Sequence, residues 1–210
     1  MQRLRLEYDN YRDIMIIDFV DTYRDLNNKA VAMLDWLVDH CATAKYVIHF
    51  VDDTYVNVDL YLQDLPTIGP TVYGAMLIRT GTNRNENNRQ YISFDEYPYE
   101  TVPTCVCGNA YAFPNAITKA LRCAVPHAIY HWQEDIWLMG HVRELAGIKA
   151  ITTKRKFDMF GRSHPNQKFE IDLEKMLKQV NEFLFIHSIF AEDYYRLYYH
   201  TEMNISKLKN

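Results

Sequence analysis

Glycine and proline are scarce, seven of each in 210 residues. That excludes a flexible linker protein and a collagen-like rod. Four cysteines (Cys41, Cys105, Cys107, Cys123) are too few for a disulfide-packed miniprotein. Cys105-x-Cys107 is not a usual zinc spacing, and no second Cys or His pair completes a four-ligand set. No apolar run approaches the roughly 20 residues of a membrane span; the longest, such as Ile14 to Ile17, are a few residues. The first residues, Met-Gln-Arg-Leu-Arg-Leu-Glu, carry charge with no apolar stretch behind it, so they do not read as a signal peptide. Basic residues are not in excess. Lys and Arg number 23 against 27 Asp and Glu, a net charge of −4 that argues against a nucleic-acid partner. There is no internal repeat, no Gly-x-Ser-x-Gly, no phosphate-binding Gly-x4-Gly-Lys, no Gly-x-Gly-x-x-Gly and no His-Glu-x-x-His.

What is present is the balance of a folded chain: 48% hydrophobic and 24% charged residues. The length suits one domain, residues 1–210, with a core of its own. Sixteen Tyr stand beside 10 Phe and 3 Trp. They imply aromatic-lined pockets or an aromatic core, and the core is the more ordinary reading.

Short apolar runs alternate with helical periods. Ile14 to Ile17 reads as a strand. Thr22 to Cys41 reads as a helix with Val31, Leu34, Val38 and Cys41 at helical spacing. Lys45 to Val51 is β-branched and aromatic, hence a buried strand. A helix from Val58 to Leu65 closes at Pro66, and a strand follows from Val72 to Arg79. The polar stretch Thr80 to Gln90 reads as a mobile surface loop. Ala110 to Phe113 is a short strand, and Asn115 caps a helix bearing Ile117, Ala120, Leu121 and Ala124. Glu134 to Ala146 is helical and stops at Gly147. Ile171 to Val180 and Glu192 to His200 read as helices, and Phe183 to Ile189 as a strand. Alternation of this kind predicts an α/β fold with a largely parallel sheet.

In open α/β sheets ligands bind beyond the carboxyl ends of strands. Asp52 and Asp53 stand at the end of the Lys45–Val51 strand. Two carboxylates there suit a hard divalent cation; a solvated turn would look the same. Glu134-Asp135 open a helix beside Trp132, Gln133 and Trp137. They read as a plain helix start favoured by the dipole, or as a general base in an aromatic setting. Gly108 allows close backbone approach to a ligand. His187, between Ile186 and Ile189, is a core residue or a ligand.

The order of these pieces says more than any one of them. Tyr11-Arg12-Asp13-Ile14 precedes Asp18-Phe19-Val20-Asp21-Thr22-Tyr23-Arg24-Asp25-Leu26, then Lys29, Trp36 and Cys41. Val51-Asp52-Asp53-Thr54-Tyr55-Val56-Asn57 follows, then Tyr97-Pro98, Pro103, Gly108, Tyr111, Glu134-Asp135-Ile136, Gly140, and His187 with Glu192 and Tyr198. From Tyr11 to Tyr198 the chain resembles the β-1,3-galactosyltransferases and β-1,3-N-acetylglucosaminyltransferases related to Fringe. The resemblance implies a GT-A-like, Rossmann-type sandwich, mostly parallel, here without its first strand–helix unit. It implies an inverting hexosyltransferase that moves galactose or N-acetylglucosamine from a UDP-sugar to a glycan hydroxyl on glycoprotein or glycolipid. It also implies Mn²⁺ (or Mg²⁺) as cofactor and a type II membrane protein in the Golgi lumen, with the anchor outside this chain.

Residue by residue, the resemblance makes Asp135 the base and Asp53 and His187 the metal ligands. Asp52 and Gly108 fall to the donor. Glu134, Trp132 and Tyr111 fall to orienting or stacking the acceptor, with Trp137 a further stacking surface; core packing is an equal reading for each of the three aromatics. In an oxidising lumen, Cys41 is one candidate for a disulfide. Three departures stand out: Val51 replaces the leading Asp of a triple, Asp25 replaces an Asn, and an Arg-x-x-Trp unit that precedes Tyr11 in the family is missing here. Val51 and the missing unit keep open a non-catalytic relative; the strand-end carboxylates alone also suit a metal-dependent phosphohydrolase, which leaves the Asp-Phe-Val-Asp-Thr-Tyr and Glu-Asp-Ile pieces unexplained.

Overall fold

A computed structural model of the chain describes residues 2–78, 80–158, 180–187 and 199. The helices expected over 171–180 and 192–200 fall outside these residues, apart from Val180 and Tyr199, and so does the last part of the 183–189 strand.

Helix α1 (Gln2–Tyr11) opens the chain. Ile14 to Ile17 is not a strand; it runs extended and largely exposed, with no partner strand among the described residues. Helix α2 (Leu26–His40) follows a 3-10 turn at Tyr23–Asp25. Its buried stripe is Ala30, Leu34 and Leu37, one residue round from the expected stripe at Val31, Leu34 and Val38. Strand β1 (Tyr46–Phe50) leads through the Asp52–Asp53 turn to β2 (Tyr55–Val56). Helix α3 (Val58–Asp64) is capped by Asn57, whose Oδ1 accepts from the Leu60 N–H at 3.1 Å. Strand β3 (Val72–Leu77) precedes the long β4 (Cys105–Pro114) and helix α4 (Thr118–Ala124). The next helix is α-helical at Glu134–Ile136 (α5), π-helical at Trp137–Val142, and α-helical again at Arg143–Leu145 (α6). It ends at Gly147, where φ is +69°. Strands β5 (Ala150–Thr152), β6 (Lys156–Asp158) and β7 (Phe183–Ile186) complete the described elements.

The main sheet has the order β1-β4-β3-β5 and a second has β2-β7-β6. Both are mixed, so the largely parallel sheet is corrected. Strand β4 pairs antiparallel with β1 and β3, while β5 runs parallel to β3. Neighbouring parallel strands need a crossover, usually a helix. The connection from β3 to β4 contains no helix in its described residues, so β4 returns as an antiparallel strand. Alternate residues of β4 serve two cores. Val106, Tyr111 and Phe113 face α2, α4 and the π-helical segment. Cys107, Ala110 and Ala112 face α3, β7 and Phe157.

The β3–β4 connection is tied down rather than loose. Gly81 bridges Thr101, and the Val102 N–H donates to the Thr80 carbonyl at 3.1 Å. Arg84 donates to the carbonyls of Ile92, Tyr97 and Tyr99 at 2.7–2.9 Å and lies over the Phe94 ring. Its asparagines form side-chain turns, Asn83 Oδ1 to the Asn85 N–H and Asn85 Oδ1 to the Asn87 N–H. All four cysteines are free thiols, so the pairing expected for Cys41 is absent. Cys105 and Cys107 are buried on one strand, and Cys123 is exposed on α4. No helix among the described residues is long and apolar enough to cross a membrane.

Candidate active site

Strand register brings the two acidic pairs to one end of the main sheet. Phe50 pairs with Ala110, and the Val51 N–H donates to the Asn109 carbonyl at 3.2 Å. One step further, the Asp52–Asp53 turn comes abreast of Gly108. The Gly108 N–H donates to Asp135 Oδ2 at 3.3 Å. A Cβ on Gly108 would stand 3.1 Å from Asp135 Cβ and 3.5 Å from Glu134 Oε2. The glycine thus permits close approach of this helix start. The structure ties it to Asp135, whereas the sequence pointed to a bound donor.

The second sheet delivers His187. Tyr55 pairs with Ile186, so the residue after β7 lies opposite the turn. His187 Nε2 is 3.3 Å from Asp53 Oδ1. Two ligands each about 2.1 Å from one cation lie about 3 Å apart when at right angles. This carboxylate–imidazole pair therefore fits a divalent ion. Among the described residues no group of three or more His, Cys, Asp and Glu is placed to hold a metal by itself. The pair is an open set, of the kind completed by water and substrate phosphate. Asp52 stays exposed in the turn.

A pocket of about 420 Å³ runs from His187 to the β3–β4 connection, within the size range of small-molecule sites. Asp135, Gln133, His131, Asn109, Cys105 and Cys107 line it, with Thr80, Thr82, Asn83 and Gln90 on the connection side. Asp135 and Glu134 take opposite parts. Asp135 faces the pocket, its Oδ1 accepting from the Ile136 N–H at 2.9 Å. Burial raises its pKa, and these backbone N–H groups pull it back down. Glu134 turns inward, where the Tyr111 hydroxyl donates to Oε1 at 3.1 Å.

Burial, with Asp135 adding to it, pushes the Glu134 carboxyl up to about 8 from an ordinary 4.5, against the lowering effect of the Tyr111 hydrogen bond. A carboxyl with a raised folded-state pKa binds its proton more tightly when folded. Its stabilisation is complete below its unfolded pKa and is lost as pH rises through the folded one. Glu134→Gln keeps an oxygen for Tyr111 and removes the charge. Its melting temperature should exceed wild type by more at pH 8 than at pH 5, and calorimetry showing equal shifts would contradict the assignment.

The aromatic residues expected to stack on sugar are core instead. Tyr111 is fully buried, stacked on His49 at 4.4 Å. Trp132 is 3% exposed, between Tyr23 and the Arg24 guanidinium. Trp137 is buried in the main core. Each fills space that the layers must fill, so Tyr111 acts on the site only through Glu134. Sequence reasoning passed over His131, Gln133 and the 80–83 stretch. No period or motif marks them, and only the tertiary fold collects them.

Comparison with known proteins gives the family of the chain. The galactosyltransferase family profile matches residues 1–154, and the chain belongs to that family. It is 26% identical over 148 residues to beta-1,3-galactosyltransferase 1 of Mus musculus, covering 69% of this chain and 45% of that protein. It is 32% identical over 135 residues to the UDP-GalNAc:beta-1,3-N-acetylgalactosaminyltransferase 1 of Rattus norvegicus, covering 63% and 41%. It is 25% identical over 173 residues to the acetylgalactosaminyl-O-glycosyl-glycoprotein beta-1,3-N-acetylglucosaminyltransferase of Mus musculus, covering 80% and 44%. The chain thus spans less than half the length of these relatives.

Proposed function

We propose that this chain carries the catalytic side of an inverting hexosyltransferase. It would move galactose or N-acetylglucosamine from a UDP-sugar to a hydroxyl of a glycoprotein or glycolipid glycan, in β-1,3 linkage. The observation that carries the reading is Asp135, a carboxylate facing the pocket with both oxygens held by backbone N–H groups. Asp135 takes the proton of the acceptor hydroxyl. The freed oxygen attacks the anomeric carbon as the bond to the diphosphate breaks, so UDP leaves and the configuration inverts. Glu134, fixed by Tyr111, holds the helix start in place. Asp53 and His187 would hold Mn²⁺ or Mg²⁺, which when bound supplies Lewis-acid neutralisation of the departing diphosphate. Asp52, at the same sheet end, falls on the donor side, while Gly108 positions Asp135 through its N–H. The family reading brings with it the Golgi lumen as compartment.

Asp53→Ala tests the metal side. Nucleotide binding in the presence of Mn²⁺ should weaken by at least about 10-fold, while binding without Mn²⁺ stays as in wild type. Calorimetric titration of UDP with and without the ion reads both. If wild type binds UDP equally well with and without Mn²⁺, the metal assignment is wrong. A wild type that binds no UDP at all favours a non-catalytic relative, the reading to which Val51 points.

A further inference from the structure

One side chain of the pocket has its polar atoms to spare. Gln133 stands two residues before Asp135 and lines the pocket with it. Its backbone is committed: the N–H donates to His131 Nδ1 at 3.2 Å, and the carbonyl accepts from the Trp137 N–H at 3.0 Å. Its carboxamide is not. Gln133 holds the N-cap position of α5 without capping it, a task suited to the shorter Ser, Thr, Asp or Asn. Among the described residues the carboxamide makes no hydrogen bond, and neither of its polar atoms is sealed from solvent. The residue is half-buried, so a free amide with open surface stands in the pocket wall.

Its neighbours fix its place. His131, two residues back, meets the Tyr97 ring of the β3–β4 connection at 4.9 Å. Asp135, two residues on, accepts from the Gly108 N–H at the sheet end, where Asp53 and His187 also stand. Gln133 therefore lies on the connection side of Asp135, away from the metal-ligand candidates. On that side the wall is Thr80, Thr82, Asn83 and Gln90, all uncharged. A diphosphate is matched by cations. A neutral sugar is matched by groups that both donate and accept, and a carboxamide offers two donor hydrogens and an acceptor oxygen. A few polar groups of this kind fix the orientation of a ligand in a pocket.

We propose that Gln133 is a specificity-determining residue for the acceptor. Its carboxamide hydrogen-bonds a polar group at the 2- or 4-position of the acceptor sugar, beside the 3-hydroxyl that reacts. The assignment rests on the reading of Asp135 as the base in the same pocket.

The test alters both partners of the contact. Methyl β-glycosides of galactose, N-acetylglucosamine and N-acetylgalactosamine serve as acceptors. The one used best is also made without its 2-substituent and without its 4-hydroxyl. KM is measured for each acceptor and for the UDP-sugar with wild type and Gln133→Leu. Leucine is of similar size and breaks no side-chain hydrogen bond of the free protein. The variant should raise the acceptor KM about 3- to 10-fold and leave the UDP-sugar KM unchanged. One of the two deoxy acceptors should cost wild type a similar factor and cost the variant nothing further. An unchanged acceptor KM, a rise confined to the UDP-sugar, or losses that add for both deoxy acceptors overturns the assignment and leaves the transferase reading standing. If Gln133→Leu does not fold, or wild type transfers no sugar, the side-chain ¹⁵N signal of Gln133 in wild type decides. It should move and saturate with a methyl glycoside and stay still with UDP; no movement overturns the assignment. Movement without transfer supports the Gln133 contact and removes the transferase reading. Wild type that shows neither removes both.

Discussion

Asp135→Asn is expected to lower sugar transfer by about 10²- to 10⁴-fold while leaving UDP binding and the fold close to wild type. The amide has the shape of the carboxylate but cannot take the acceptor proton. Its one oxygen can accept from either Ile136 or Gly108, whose N–H groups now bond Oδ1 and Oδ2 at 2.9 and 3.3 Å. The N–H left unpaired costs about 1–3 kcal/mol, which a urea midpoint measured beside the transfer rate separates from the loss of the base. The pH profile carries the same signature. Burial raises the Asp135 pKa, which strengthens the base, so wild-type turnover falls as acid protonates it. Transfer by Asp135→Asn at the wild-type rate would remove Asp135 from the chemistry.

Arg143→Met is expected to destabilise the protein by at least about 3 kcal/mol, on the order of 1–3 kcal/mol for each buried carbonyl left without a donor, read as a lower urea midpoint. The guanidinium is 7% exposed. Its Nε donates to the Met139 carbonyl at 2.7 Å, Nη1 to Ile148 at 2.7 Å and Nη2 to Thr104 at 2.8 Å. Methionine fills the space and leaves three carbonyls without this donor. Glu144, the ion-pair partner at 3.3 Å, is half exposed and adds little. The Thr104 bond fastens this helix to the start of β4, four residues before Gly108. Transfer should therefore fall along with stability, because the Asp135–Gly108 contact depends on the same junction. A midpoint within error of wild type would show that these bonds are dispensable.

Local chemistry explains which parts of the molecule could be read from the sequence. The Lys45–Val51 run is β-branched and aromatic, and its core is a strand. Gly147 ends its helix because glycine takes a positive φ at no steric cost, whereas Asn115, expected to cap α4, lies inside a 3-10 turn before that helix and does not cap it. Asp53 and His187 lie 134 positions apart in sequence and 3.3 Å apart in space; only the family order of segments connected them beforehand. Strand β4 was seen only at 110–113, because Gly108 and Asn109 interrupt its β pattern. Its reversed direction depends on the helix-free connection before it, a tertiary outcome no residue announces. The 80–90 stretch looked mobile because its residues are polar, yet Arg84 spends its guanidinium on three carbonyls of the same connection. Trp132 and Tyr111 looked like sugar platforms because aromatic character does not tell a pocket wall from a core. His131 escaped notice because its place beside the pocket is set by the tertiary fold and by no local pattern.

The most direct test of the account is a transfer assay with UDP-galactose and UDP-N-acetylglucosamine, Mn²⁺ and, as acceptors, the methyl β-glycosides of galactose, N-acetylglucosamine and N-acetylgalactosamine. UDP release and the product are followed together by NMR. The account predicts that UDP appears only when an acceptor is present, mole for mole with a β-1,3-linked disaccharide. Cleavage of the UDP-sugar by water at the same rate without acceptor, or a product in α linkage, would contradict it.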